Sequence, residues 1–146
     1  MIIFFSAVLN KIYRLGRDYD WPALNSCPRC KSCRVWGHGF ITACFDGYNQ
    51  PLTLKRYRCP DCKCVIRLRP RGYFSRFQAP ISTIRSSILS KSQAGKWIIG
   101  IDRNRQCHWY RALLKRIRAY LTNTWQHGVV AGFDHLLESG HIPVRR

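Results

Sequence analysis

Two Cys-Pro-x-Cys pairs, Cys27-Pro28-Arg29-Cys30 and Cys59-Pro60-Asp61-Cys62, stand 28 residues apart and are the residues whose type and spacing most clearly promise chemistry. A Cys-x-x-Cys turn presents two sulfurs on one side with backbone amides pointing at them. Two such turns complete the closed tetrahedron of soft ligands that a structural zinc ion takes. Proline after the first cysteine fixes φ for the tight turn. The expectation is one structural Zn²⁺ held by Cys27, Cys30, Cys59 and Cys62. A redox motif would account for one pair but not for two. Cys33 makes Cys30/Cys33 a competing pair and Cys62/Cys64 is a poorer one, while Cys44, Cys107 and His38 are spare donors. Arg29, Lys31, Arg58 and Lys63 sit in or beside the pairs, where they would offset the charge of four thiolates.

Strands and helices must hold these residues. Val35 to Ile41 and Leu52 to Tyr57 are rich in β-branched and aromatic residues, and the turn cluster Asp46 to Pro51 separates them. Cys64 to Leu68 supplies a third strand in which Cys64, Ile66 and Leu68 face one way and Val65, Arg67 and Arg69 the other. Ahead of them, residues 1–26 form a lead-in that ends at Trp21-Pro22, where helix is disfavoured. After Pro80 the period changes. Ile81, Ile84 and Ile88 predict a short helix capped by Ser82 or Thr83 and ending near Ser90. A longer helix, capped by Asp102 or Asn104, runs to about Leu121 with the apolar stripe Trp109, Leu113, Ile117, Tyr120 and Leu121. A last one spans Trp125 to Leu137.

Charge narrows the partner. The chain of 146 residues holds 25 Lys plus Arg against 7 Asp plus Glu, a formal charge of +18. That length is one domain by the usual span of roughly 100–200 residues, or two very small ones if metal replaces part of a core. With 46 % apolar and 13 % aromatic residues it is too hydrophobic for a disordered basic tail, so the charge belongs on a folded surface. Residues 27–76 carry +9 and 77–121 carry +8, whereas 1–26 and 122–146 carry +1 and 0. Such a surface suits nucleic acid, anionic membrane or acidic protein. Membrane fits least, because the apolar run Met1 to Leu9 is about half of the roughly 20 residues a spanning helix needs. The run also lacks the flanks of a secretory signal, so a cytoplasmic, nucleoid-associated protein with reduced thiols is expected.

Within the long helix, Arg111, Lys115 and Arg118 line the face opposite the apolar stripe, and Arg103, Arg105 and His108 stand at its start. Six basic residues between Arg103 and Arg118 have no acidic partner one turn away, so the run repels itself unless an anion neutralises it. Phosphates would meet the basic face, and Arg105 and His108 would read base edges if the helix docks by its N-terminus. A second patch holds Lys55, Arg56, Arg58, Arg67, Arg69, Arg71 and Arg76. Tyr57, Tyr73, Phe74 and Phe77 interleave with it, an arrangement that serves either single-strand stacking or a core.

The runs CPRCKSCRVWGHGF, LKRYRCPDCKCVI and LRPRGYFSRFQAPISTIRSSI resemble the N-terminal zinc ribbon and following helix-turn-helix of bacterial insertion-sequence transposases and their orphan relatives, over about residues 25–121. The expected fold class is a small α+β protein: a zinc ribbon of short antiparallel strands and two cysteine knuckles at 27–76, then a helix-turn-helix-like basic segment at 77–121. Residues 1–26 pack on this body, and 122–146 form a short helix and tail. The resemblance implies binding to double-stranded DNA without catalysis. The acidic residues that could form a metal-binding triad, Asp102, Asp134 and Glu138, have no adequate core around them. A ribonucleoprotein component that grips RNA, or a recruitment subunit of a transposition complex that docks through 122–146 and the apolar start, are the alternatives.

Overall fold

The runs expected as strands form them, and the apolar start of the chain joins them. In the computed structural model, which describes residues 1–145, strands β1 (Ile2–Phe5), β2 (Trp36–Ala43), β3 (Leu52–Arg58) and β4 (Val65–Pro70) make one sheet in the order β1-β4-β3-β2. β2, β3 and β4 run antiparallel in sequence, while β1 lies parallel to β4 with Ile2 opposite Arg67 and Phe4 opposite Arg69. The lead-in is therefore part of the sheet, not only a cover for it. Helix α1 (Leu9–Leu15) and a 3-10 turn at Gly16–Asp18 return the chain across the sheet.

Side chains of alternate parity bury one face of this sheet. Tyr57, Ile66 and Leu68 meet Phe5 and Ile12, with Tyr19 and Trp21 packed against them. The Trp21 ring lies 4.9 Å from Tyr19, 5.8 Å from Phe5 and 6.2 Å from Phe40. Tyr57 Oη donates to the Pro22 carbonyl at 2.8 Å, which fixes the end of the lead-in.

Helices α2 (Ile81–Ala94), α3 (Arg103–Tyr120) and α4 (Gly128–Glu138) build a second core from Ile84, Ile88, Trp109, Leu113, Ile117, Phe133 and Leu136. α2 departs from its expected ends. Pro80 occupies the capping position, so Ser82 and Thr83 fall inside the first turn, and the helix continues past Ser90 until Gly95 adopts φ 66°. Asp102 caps α3 as expected, accepting from the Arg105 amide at 2.8 Å. α4 begins at Gly128, three residues later than Trp125, and Tyr120 stays 46 % exposed instead of closing the α3 stripe. Arg85 of α2 holds Asp134 of α4 through two hydrogen bonds of 2.8 and 2.6 Å, which keep the carboxyl below the usual carboxylate range. Asp102 and Asp134 are thus both committed to helix architecture.

α3 and α4 touch through Gly132, where a Cβ would lie 2.5 Å from Ile117 Cδ1, 2.8 Å from its Cγ1 and 3.3 Å from Trp125 Nε1. Gly132→Ala is expected to lower the stability of the helical unit by about 1–3 kcal/mol, the usual cost of overpacking. Urea denaturation followed by helical circular dichroism checks this. By contacts the chain forms two compact units, Met1–Gln78 and Ala79 onward. Among the described residues, no helix is long and apolar enough to cross a membrane.

Candidate metal centre and basic surfaces

The two cysteine turns have the same backbone. In each, the amide of the first cysteine donates five residues on, Cys27 to the Ser32 carbonyl at 2.8 Å and Cys59 to the Cys64 carbonyl at 3.0 Å. The residue after the second cysteine is left-handed in both, Lys31 at φ 63° and Lys63 at φ 59°. These matched turns aim amides at sulfur. Cys27 Sγ accepts from the Cys30 and Arg29 amides, and Cys59 Sγ from those of Cys62 and Asp61. The first turn precedes β2 and the second joins β3 to β4, so the antiparallel pairing of those strands brings the turns together.

The sulfurs of Cys27, Cys30, Cys59 and Cys62 all lie within 4.8 Å of one another. Cys27 to Cys62 and Cys30 to Cys59 are each 3.6 Å. A tetrahedron with zinc–sulfur bonds of about 2.3 Å has edges of about 3.8 Å, so the four sulfurs fit one metal ion of that size. Cys27 and Cys59 are fully buried, Cys62 half-buried and Cys30 exposed, which puts the centre at the surface with one side sealed. The competing donors Cys33 and Cys64, and the spares Cys44, Cys107 and His38, lie outside the group.

The protein prepares two thiolates and resists two. The Cys30 amide first, with the Arg29 amide and the neighbouring thiols, draws Cys27 down to about 6 against burial. Cys59 is lowered by its own amides, that of Cys62 foremost. For Cys62 the Cys64 amide pulls downward, yet burial and the other three sulfurs outweigh it and push the thiol up to about 12. Cys30 is raised as well: the downward pull of the Ser32 amide is outweighed by burial together with Cys59 and Cys27. Four sulfurs this close cannot all ionise without a cation among them.

One clamp across the centre was not foreseen from sequence. Asp61, inside the second turn, accepts from the Ser32 hydroxyl and from Arg34 Nη1 at 3.0 Å, tying the second turn to the chain just after the first. Arg34 is exposed, so the clamp contributes orientation more than stability.

The basic residues divide by unit. On α3, His108, Arg111, Lys115 and Arg118 are all exposed at spacings of three and four residues, and Arg103 is exposed at the first turn. Among the described residues, Arg103, Arg111, Lys115 and Arg118 make no ion pair. Arg105 lies against the Trp109 ring at 5.1 Å, which draws it toward the core side of the helix.

In the first unit, Arg56, Arg58 and Arg67 share one sheet face, Arg58 and Arg67 exposed and Arg56 half-buried. Lys55 points to the opposite face, with Nζ over the Phe40 ring at 4.6 Å, and Arg71 is exposed beyond β4. Arg69 does not belong to the surface patch. It is 9 % exposed, donates to the Phe77 carbonyl and lies 5.2 Å from the Phe45 ring, because the segment after β4 folds back over it. The interleaved aromatics go the same way: Tyr57, Phe74 and Phe77 are buried and serve the core. Trp36, in contrast, is 60 % exposed.

Comparisons with protein-family models, with curated proteins and with solved structures give no match.

Proposed function

We propose that this chain is a zinc-stabilised nucleic-acid-binding protein whose helix α3 docks on double-stranded DNA. The observation that carries it is the stripe His108, Arg111, Lys115 and Arg118, exposed along one face of an 18-residue helix and without an acidic partner among the described residues. An unneutralised run of this kind destabilises an isolated helix and is satisfied by a line of phosphates. The opposite face buries Gln106, Trp109, Leu113 and Ile117, so α3 is held rigidly while its basic side stays free. Arg103 and His108 stand exposed at the N-terminal end, where a helix entering the major groove presents its base-reading residues.

Zinc is the metal favoured by four thiolates with tetrahedral spacing. Cys27, Cys30, Cys59 and Cys62 would hold it, and its contribution is to join the two turns and the strands behind them, not to catalyse. With four thiolates the centre carries a net −2, which the formal +18 leaves out. A zinc ribbon of the transposase type is consistent with the paired turns and the β2-β3-β4 meander. α2 and α3 would take the place of its helix-turn-helix, although their link, 95–102, is longer than the turn of roughly three to four residues that such motifs use.

The double substitution Arg111→Ala with Lys115→Ala is expected to weaken duplex DNA binding and to reduce the slope of log K against log salt by about two. A gel-shift salt series measures both. An unchanged slope would remove α3 from the interface.

A further inference from the structure

The sheet face that bears Leu52, Leu54 and Arg69 is covered at their end but stands open at the end that bears Trp36 and Arg58. Register places Trp36 directly opposite Arg58, and Arg56 directly opposite Arg67. Since alternate residues share a face, Trp36, Arg56, Arg58 and Arg67 all stand on it. Like charges paired directly across strands weaken a sheet, and Arg56/Arg67 is such a pair. The Nε of Arg56 is also buried with no hydrogen-bond partner among the described residues. Arg58 adjoins the second cysteine turn and its thiolates, but Arg56 and Arg67 make no ion pair among the described residues.

Two concavities flank them. Beside the second cysteine turn a cleft is lined by Trp36, Gly37, His38, Arg58, Pro60 and Lys63. Towards β1 a basin has an apolar floor that includes Ile41, Ala43 and Leu54, with Arg67 and Arg76 at its rim. The face therefore offers an exposed indole, an apolar basin and cations between them, and no carboxylate lines either concavity.

We propose that this sheet face binds a single-stranded polynucleotide, with a base stacked on Trp36 and the backbone tracked by Arg58, Arg56 and Arg67. Residues two apart on a strand repeat every ~6.7 Å, a spacing that successive phosphates of an extended strand can follow. Stacking on Trp36 requires a base face free of its neighbours, which a duplex does not present. RNA and DNA single strands share this chemistry. The site rests on the nucleic-acid reading of the protein but not on α3, which lies in the other unit.

The test uses the full metal-loaded chain with fluorescein-labelled 12-mers of oligo(dT) and oligo(U) and a mixed-sequence 20-base-pair duplex, titrated by anisotropy. Trp36→Ala is expected to weaken single-strand binding about tenfold and leave duplex binding unchanged. Trp36→Phe should recover most of the loss. Arg67→Gln, at an exposed position, should lower the single-strand salt slope by about one. Full metal content of each variant confirms that the unit is intact. A loss with oligo(dT) alone or oligo(U) alone assigns the site to DNA or RNA. The proposal is overturned if the wild-type chain binds neither single strand, if Trp36→Ala leaves single-strand affinity unchanged, or if it weakens the duplex equally. Failure of Arg111→Ala with Lys115→Ala to affect the duplex, with the Trp36 effect intact, would refute duplex docking by α3 and leave the single-strand site standing.

Discussion

Cys59→Ser is expected to abolish stoichiometric metal binding and to unfold residues 1–78, while the helical signal from residues 79 onward persists. Cys59 is fully buried, its sulfur lies 3.6 Å from that of Cys30, and its amide closes the second turn on Cys64. Serine retains the turn but supplies a poor ligand, so the centre loses one of the links between the turn before β2 and the turn between β3 and β4. Structural zinc contributes on the order of 10–16 kcal/mol of apparent folding energy in small metal modules, and a unit of this size has too little core to replace it. Metal analysis should find well under one tenth of an ion per chain, and the tertiary circular dichroism of the aromatic cluster around Trp21 should collapse. Full metal content would overturn the ligand set. Acid acts on the same centre. Binding requires thiolates, so protons compete with the metal: affinity should fall as the pH is lowered, and release should come in acid, below the value of about 6 that Cys27 has without metal, because a bound cation keeps its thiolates ionised.

Gln106→Ala is expected to damage the helical unit as severely as the loss of a large core side chain. The side chain is 1 % exposed and fully employed. Oε1 accepts from the Ser87 hydroxyl at 2.7 Å and the Ile98 amide at 3.0 Å, and Nε2 donates to the Ile98 and Ile101 carbonyls, both at 2.9 Å. One amide thus holds the link 95–102 between the two helices that it joins. Truncation leaves four polar groups without their partner. With about 1–3 kcal/mol for each group left buried and partial relaxation of the link, the loss should be about 3–5 kcal/mol. In a unit this small that lowers the helical melting temperature by roughly 15–25 °C. A drop of less than about 5 °C would mean that the link is held by something else.

The local features were readable in the chain. Pro-punctuated cysteine pairs, the Asp46–Pro51 turn cluster and the Asp102 cap each depend on a few adjacent residues, and the four-cysteine group, the three antiparallel strands and the start of α3 sit where those residues place them. Gln106 occupies a position on the apolar stripe of α3, one turn before Trp109 and Tyr110, and a polar residue there was a sign of a buried network. Its partners are ten or more residues away or in a loop, so their identity was not to be found in the helix pattern. For Arg69, period-two alternation placed it outside with Arg67, and by parity that is its face. It is buried because residues 73–77 cover that end of the sheet, a contact that strand periodicity does not encode.

By itself, then, the sequence determined the cysteine centre, the segregation of charge into two basic regions and the helical face that bears Arg111, Lys115 and Arg118. Each follows from spacing within one turn or one helix. Only the tertiary structure decided which arginines remain on the surface, which aromatics are left exposed, and that the first strand lies parallel to the fourth. Those outcomes depend on segments more than sixty residues apart in the case of β1 and β4, and on which face of the sheet the returning chain happens to cover. Exposure is a property of the assembled unit. Trp36 stands out in solvent because no segment of its unit returns over it, whereas the same chain returns over Arg69 and seals it.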